Sequence, residues 1–291
     1  MMGGPMCRNL IKNGHEAVVC DLNPDAVARV KGPSITVAAT AREVAEAVDV
    51  VFTSLPMPAD VEKVIFGENG LAASGKQGLT IVDLSTNAPA SVQNLSARLA
   101  EKGMHLIDAP VSGGVDGAEA ATLAIMCGGS KDDYARVKPL LDCMGKNVFL
   151  VGEIGAGSIA KLCNNMTSFT NLAAASEALM LAQRAGLDPG VMADVLFASS
   201  GGSTALNRAA RKGLAGDWSQ EFALNLAHKD LTLALELGKQ TDTSLTFGAI
   251  TYTLLQQARV KGWGADDVVV VQRLLEDILG TEVRGQSQKF K

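Results

Sequence analysis

The segment Gly155-Ala156-Gly157-Ser158-Ile159-Ala160-Lys161-Leu162-Cys163-Asn164-Asn165 places a lysine about two turns into a predicted helix, with an asparagine a turn further on. A cation there faces the positive end of the helix macrodipole, which disfavours the charge by roughly 0.3–1 kcal/mol when exposed and more when buried. An amine so placed gives up its proton more readily, and it can then take and return one near neutral pH. Lys161 and Asn165 share a helix face, with roughly 5–6 Å between Cβ atoms. In that relation an amine and an amide can address one small oxygenated ligand. The plain alternative for a single lysine on a helix is a solvated surface charge. Its flanks Ile159, Leu162, Cys163, Met166 and Phe169 are apolar and weaken that alternative.

A second segment, Asp108-Ala109-Pro110-Val111-Ser112-Gly113-Gly114, follows a predicted strand. Paired glycines let successive backbone N–H groups turn toward one point and form an anion nest, to which the Ser112 hydroxyl adds a donor. A substrate carboxylate suits such a nest; an ordinary glycine turn is the competing reading. Further on, Phe222-Ala223-Leu224-Asn225-Leu226-Ala227-His228-Lys229-Asp230-Leu231 sets another lysine on a helix. Lys229 can hydrogen-bond a ribose or a substrate, and its charge would further depress the pKa of Lys161. It can equally be a lysine beside an aspartate on a wet helix face.

These residues need elements to hold them. The first half alternates β-rich runs (17–21, 48–54, 79–84, 105–109) with helix-like segments (24–30, 40–47, 58–66, 88–102). That order implies a parallel sheet covered by helices on both faces. Strands at 123–127 and 147–151 flank a helix around 131–144. From Ser158 onward the spacing is helical: a long run to Ala185, then 189–198, 203–212, 222–239, 246–261 and 265–279. The chain therefore reads as an α/β domain of residues 1–154 and an all-α domain of residues 155–291 that starts with a long inter-domain helix.

Open parallel sheets bind ligands at the carboxyl ends of their strands. The run 17–21 ends in Asp21, which can accept hydrogen bonds from both ribose hydroxyls of an adenosine and would repel a 2′-phosphate, favouring NAD over NADP. The competing reading makes it a cap for the next helix, although Asn23 fits that cap better. Leu55 and Pro56, and likewise Thr86, follow the next two strands and can line a cofactor or merely turn. The glycine fingerprint G-x-G-x-x-G is incomplete. In Met1-Met2-Gly3-Gly4-Pro5-Met6, Gly3 looks like its last glycine. The expectation is a truncated start, with roughly ten or more further N-terminal residues detectable by mass spectrometry of the native protein.

Bulk properties exclude other classes. The chain is 47% hydrophobic with a net charge of -5, so a large core is available, and no basic stripe suits nucleic acid. Five cysteines are scattered without CxxC spacing, which suits reduced thiols in a cytoplasm and offers no zinc site. No secretion signal is recognisable, and polar residues interrupt the long helix too often for a bilayer span.

Together the segments ending at Met6, Gly114, Asn165 and Leu231 resemble, in order and over nearly the whole chain, the β-hydroxyacid dehydrogenase family, of the 3-hydroxyisobutyrate dehydrogenase and tartronate semialdehyde reductase type. The resemblance implies a Rossmann-type dinucleotide-binding domain followed by an all-α domain that supports dimers or tetramers. It implies Lys161 as the catalytic residue and Ser112, Gly113, Gly114 and Asn165 at the substrate. Met1, Met2, Gly3, Asp21, Leu55, Pro56, Thr86 and Lys229 would contact NAD, with NADP second. A lysine at 161 argues against imine-reducing relatives. The expected reaction interconverts a small 3-hydroxy acid and its semialdehyde, with tartronate or succinate semialdehyde reduction as the neighbouring alternative. Specificity is expected from Thr86, 199–202 and 222–225. A dinucleotide-binding scaffold without catalysis is the rival from another class.

Overall fold

The computed structural model describes residues 2–290. The chain divides into two compact units, Met1–Lys161 and Leu162–Lys291. The first opens on α1 (Gly3–Lys12) and continues β1 (Ala17–Val19), α2 (Pro24–Ala28), β2 (Ile35–Val37), α3 (Ala41–Ala47), β3 (Val50–Thr53) and α4 (Pro58–Phe66). It goes on through β4 (Thr80–Asp83), α5 (Pro89–Ala100), β5 (His105–Asp108), β6 (Val111–Ser112), α6 (Gly114–Glu119), β7 (Leu123–Gly128), α7 (Lys131–Asp142) and β8 (Gly145–Gly152). Helix starts follow local chemistry. The side chains of Asn23, Thr40 and Ser130 accept the N–H groups of Asp25, Glu43 and Asp133, and Pro24, Pro58 and Pro89 sit in first turns.

The main sheet runs β3-β4-β5-β7-β6, with β8 paired to β7. Its strands β3, β4 and β5 are parallel, and β4 is buried along its whole length. Alternation along the strands feeds two cores. Ile81 and Leu106 pack with Val61, Ile65, Leu95 and Leu99 on one side, while Val82 and Ile107 pack with Ile125, Val137 and Leu141 on the other. Two faces buried in this way are what covering helices on both sides require.

The strands β3, β4 and β5 are parallel as the alternating pattern implied, and the later strands make the whole sheet mixed. Strands β5 and β6 both run antiparallel to β7, and only β8 is parallel to it. The connection from Gly113 to Thr122 is short, and a parallel crossover takes about a dozen residues or more. Strands β1 and β2 form a separate parallel pair, and among the described residues no strand joins β1 to β3. The sequence reading missed β2, β6 and α6, which are too short to show a repeat, and also α1, whose ten residues it read only for the glycine motif.

The second unit is helical. Helix α8 (Ala156–Arg184), whose first six residues belong to the first unit, leads into α9 (Pro189–Ala198), α10 (Thr204–Arg208), α11 (Leu224–Gln240), α12 (Thr246–Val260) and α13 (Val270–Leu279). Its core gathers Leu162, Phe169, Leu172, Leu179, Leu206, Leu224, Leu231, Leu255 and Val270. Two expected helices are shorter than their spacing suggested. The 203–212 segment becomes α10 followed by a π turn, Ala209–Gly213, in which Lys212 is buried and reaches Asp217 (2.6 Å) and Ser219 (3.1 Å). The 265–279 segment turns helical only at Val270. The buried Asp267 carboxylate accepts the N–H groups of Glu221, Phe222 and Val269, which holds its own backbone in a bridge to Ala223. Among the described residues no helix is long and apolar enough to cross a membrane.

Candidate active site

Register brings three strand ends level. Thr53 pairs with Asp83, and Asp83 with Asp108, so the segments leaving β3, β4 and β5 depart from one edge of the sheet. Thr53 Oγ1 donates to Asp83 Oδ1 (2.9 Å), which also accepts the Ser85 N–H (3.1 Å). Ser85 Oγ in turn accepts the N–H of Leu55 (2.9 Å). This chain of bonds fixes the backbone around Leu55, Pro56 and Thr86, three of the residues assigned to a cofactor by the sequence. Burial pushes the Asp83 carboxyl above its ordinary range, and the bonds from Ser85 and Thr53 oppose it.

Asp108 joins two further segments. Its Oδ1 accepts the Gly155 N–H (2.8 Å) and its Oδ2 the Ser158 N–H (2.6 Å), so one buried carboxylate clasps the first turn of α8. Negative charge at a helix start is favourable, and the free N–H groups there need acceptors. The approach is close enough to require glycine. A Cβ at Gly157 would lie 2.5 Å from the Asp108 carbonyl oxygen, and one at Gly128 would collide with Asp108 Oδ1. Spacing alone did not reveal this role for Asp108, although an aspartate at a strand end was in view.

Burial pushes the Asp108 carboxyl up to about 6, outweighing the pull of the two N–H groups. The folded value lies above the unfolded one. The stability this contributes is therefore complete below about pH 4 and lost as pH rises through about 6, a span worth about 3 kcal/mol at most. Asp108→Asn removes the titration. In urea unfolding the stability of the native protein minus that of the variant is expected to fall between about pH 4 and about pH 7. A difference that stays flat across that range would contradict the assignment.

Four residues beyond Asp108 come Ser112, Gly113 and Gly114. Gly113 has φ +136° and Gly114 +66°, conformations that L side chains rarely adopt, and both glycines are exposed. Two such residues in succession make a turn that glycine accommodates without strain. Gly113 also precedes α6 and abuts Leu123, whose Cδ2 would meet an added Cβ at 3.1 Å. Gly113→Ala is expected to cost roughly 1–3 kcal/mol of stability and to raise the substrate KM more than it lowers kcat. Unchanged KM in the folded variant would remove the carboxylate from this turn.

Lys161 is the sixth residue of α8 and is 8% exposed, so it is not a solvated surface charge. Asn165, also on α8, is buried. Its Nδ2 donates to Asp230 Oδ2 (2.6 Å), and its Oδ1 accepts from Asn164 Nδ2 (3.1 Å). Lys229 Nζ lies 3.1 Å from Asp230 Oδ1. The wet-face alternative for Lys229 and Asp230 therefore fails: Asp230 is 2% exposed and meets both residues that the sequence singled out. Neighbouring His228 stacks on Tyr252 at 4.6 Å between ring centroids and lies 3.2 Å from Arg259 Nη1. Burial and that guanidinium lower its pKa.

The remaining cofactor candidates lie early in the chain. Asp21 is exposed beyond β1; its Oδ1 accepts the Asn23 N–H (2.8 Å), and Asn23 caps α2, as its position suggested. Gly3 begins α1 and Met2 precedes it, with no capping side chain and no acidic residue in the first turn. The first N–H groups of α1 therefore suit a diphosphate, as an uncapped helix start does. Met1 lies outside the described residues. Among the described residues no group of three or more His, Cys, Asp or Glu side chains could hold a metal ion.

Known proteins resemble this chain over nearly its whole length. Residues 1–152 match the NAD binding domain of 6-phosphogluconate dehydrogenase, and residues 155–275 match the NAD-binding domain family of NADP-dependent 3-hydroxyisobutyrate dehydrogenase. A 2-(hydroxymethyl)glutarate dehydrogenase of Eubacterium barkeri is 39% identical over 285 residues, covering 98% of this chain and 95% of that protein. A 3-hydroxyisobutyrate dehydrogenase of Pseudomonas aeruginosa is 39% identical over 279 residues, covering 91% of this chain and 92% of that protein. The crystal structure of a 3-hydroxyisobutyrate dehydrogenase from Salmonella typhimurium superposes with a TM-score of 0.87 at 31% identity, over 94% of this chain and 96% of that one. With matches of this length to both halves, the chain belongs to the β-hydroxyacid dehydrogenase family of NAD(P)-dependent oxidoreductases.

Proposed function

We propose that the protein interconverts a small 3-hydroxy acid and its semialdehyde, with NAD preferred over NADP and Lys161 carrying the proton. The observation that bears most weight is the Asp108 clasp. It ties the segment carrying Ser112, Gly113 and Gly114 to the helix start that carries Lys161. The two relatives' names point the same way. 3-Hydroxyisobutyrate and 2-(hydroxymethyl)glutarate both hold a hydroxymethyl group on the carbon that bears a carboxylate. A site for such acids needs an anion holder and a proton carrier set apart from it.

The roles follow from residue chemistry. Gly113 and Gly114 offer backbone N–H groups, and Ser112 its hydroxyl, to the substrate carboxylate. In oxidation Lys161 Nζ takes the hydroxyl proton as the carbonyl forms; in reduction it returns a proton to the carbonyl oxygen. That transfer needs Nζ within roughly 2.6–3.2 Å of the oxygen. Asn165 hydrogen-bonds the same oxygen, and Lys229 serves the substrate and the nicotinamide ribose. Asp21 holds the adenosine ribose, the α1 start with Met2 and Gly3 takes the diphosphate, and Leu55, Pro56 and Thr86 line the dinucleotide. When bound, the nicotinamide supplies the hydride acceptor, while the protein supplies orientation and electrostatics.

The test is NADH formation over a panel of 2-, 3- and 4-hydroxy acids, with NADP in parallel. Turnover confined to 3-hydroxy acids and fastest with NAD is the expected result. Tight NAD binding without turnover of any member, or of the matching semialdehydes, would favour the scaffold reading. Exposed Leu187, Val191 and Val195 on the helical unit favour a homodimer or homotetramer, which light scattering checks. The five free cysteines suit a reducing compartment such as the cytoplasm, where fractionation would place the protein.

A further inference from the structure

We propose that Asp230 is a positioning residue that fixes which end of the Asn165 amide is offered to the substrate, making Asn165 a hydrogen-bond donor to the reacting oxygen. The inference rests on the assignment of Asn165 to the substrate made above. Its basis is the acceptor-only chemistry of a carboxylate. A carboxylate oxygen accepts, and the Asn165 atom 2.6 Å from Asp230 Oδ2 is the donor Nδ2. Asn164 reinforces the choice by donating to the opposite end, Oδ1, at 3.1 Å.

With the amide held at both ends it cannot flip, and Nδ2 has a second N–H to offer. A donor suits the oxygen of a hydride transfer in both directions, because that oxygen gains negative character as its proton leaves or before one arrives. An amide turned the other way would set a lone pair against it. Asp230 does not need to touch the substrate to control this. Its other oxygen lies 3.1 Å from Lys229 Nζ, so the same carboxylate also steadies the second assigned ligand-binding residue. Burial makes both contacts stronger than they would be in water.

The test is a kinetic double-mutant cycle. Asp230→Asn keeps the shape but lets the 165 amide turn either way. Alone it is expected to lower kcat roughly 10-fold or more. In the Asn165→Ala background, where no amide is left to orient, it is expected to cost less than about 2-fold. The same fold-loss in both backgrounds overturns the proposal and leaves the role of Asn165 standing. Wild-type kinetics for Asn165→Ala alone overturns the substrate role of Asn165, and the proposal with it.

Exchanging the partners separates orientation from mere support, and it keeps the test open if Asp230→Asn does not fold alone. The double variant Asn165→Asp with Asp230→Asn rebuilds a carboxylate–amide bond but leaves only an acceptor at position 165. A melting temperature restored with kcat still depressed by roughly 10-fold or more supports the proposal. Restored turnover, or a variant that neither folds nor turns over while the cycle is additive, overturns it.

Discussion

Replacing Lys161 with alanine is expected to lower kcat by roughly two to four decades while leaving the Kd for NAD nearly unchanged. General acid–base transfer accounts for a factor of that size, and the proposed role assigns the loss to kcat, because such transfer acts on the transition state. The surroundings of the lysine suit the proposed role. It is buried on the first turns of α8, whose start is clasped by Asp108. Turnover in Lys161→Ala equal to wild type, in a folded protein that binds NAD, would end the proposal.

A large change in cofactor use is expected from Asp21→Ala. The exposed carboxylate beyond β1 spends one oxygen on the Asn23 N–H, which leaves the other for ribose hydroxyls. Hydrogen bonds to a charged group contribute about 1.5–3 kcal/mol, so kcat/KM for NAD should fall by roughly 10- to 100-fold. Discrimination against NADP should shrink by more than that ratio alone implies, because removing the charge also relieves repulsion of the 2′-phosphate. Parallel steady-state kinetics with both cofactors measure this. An unchanged NAD-to-NADP ratio would assign Asp21 to the turn before α2 and to nothing else.

Much of the fold was legible because it is written locally. Alternating strands and helices, the Asn23 cap and the long unbroken run of α8 need only neighbouring residues to specify them. The reversal at β6 and β7 was not legible, since it depends on how short the Gly113–Thr122 connection is and on which strand edge is free. Likewise the late start of α13 is set by Asp267, whose hydrogen-bond partners at Glu221 and Phe222 lie far away in sequence. The site followed the same division. Lys161, the glycine pair and Lys229 stood out by type and spacing. Asp108 and Asp230 did not, because a carboxylate at a strand end or beside a lysine looks solvated until tertiary packing buries it. Both are acceptors that hold other groups in place, and such work is visible only once the donors have arrived.

Chemical rescue probes the proton carrier most directly. Truncating a buried lysine leaves room for a small amine, so methylamine and ethylamine added to Lys161→Ala should restore NADH formation from a 3-hydroxy acid. The restored rate should rise with amine concentration and depend on amine pKa, as general catalysis requires. Rescue by amines and not by potassium or tetramethylammonium at equal ionic strength is the predicted result. A variant that turns over without any amine, or one that equal salt revives as well, would contradict proton transfer by Lys161.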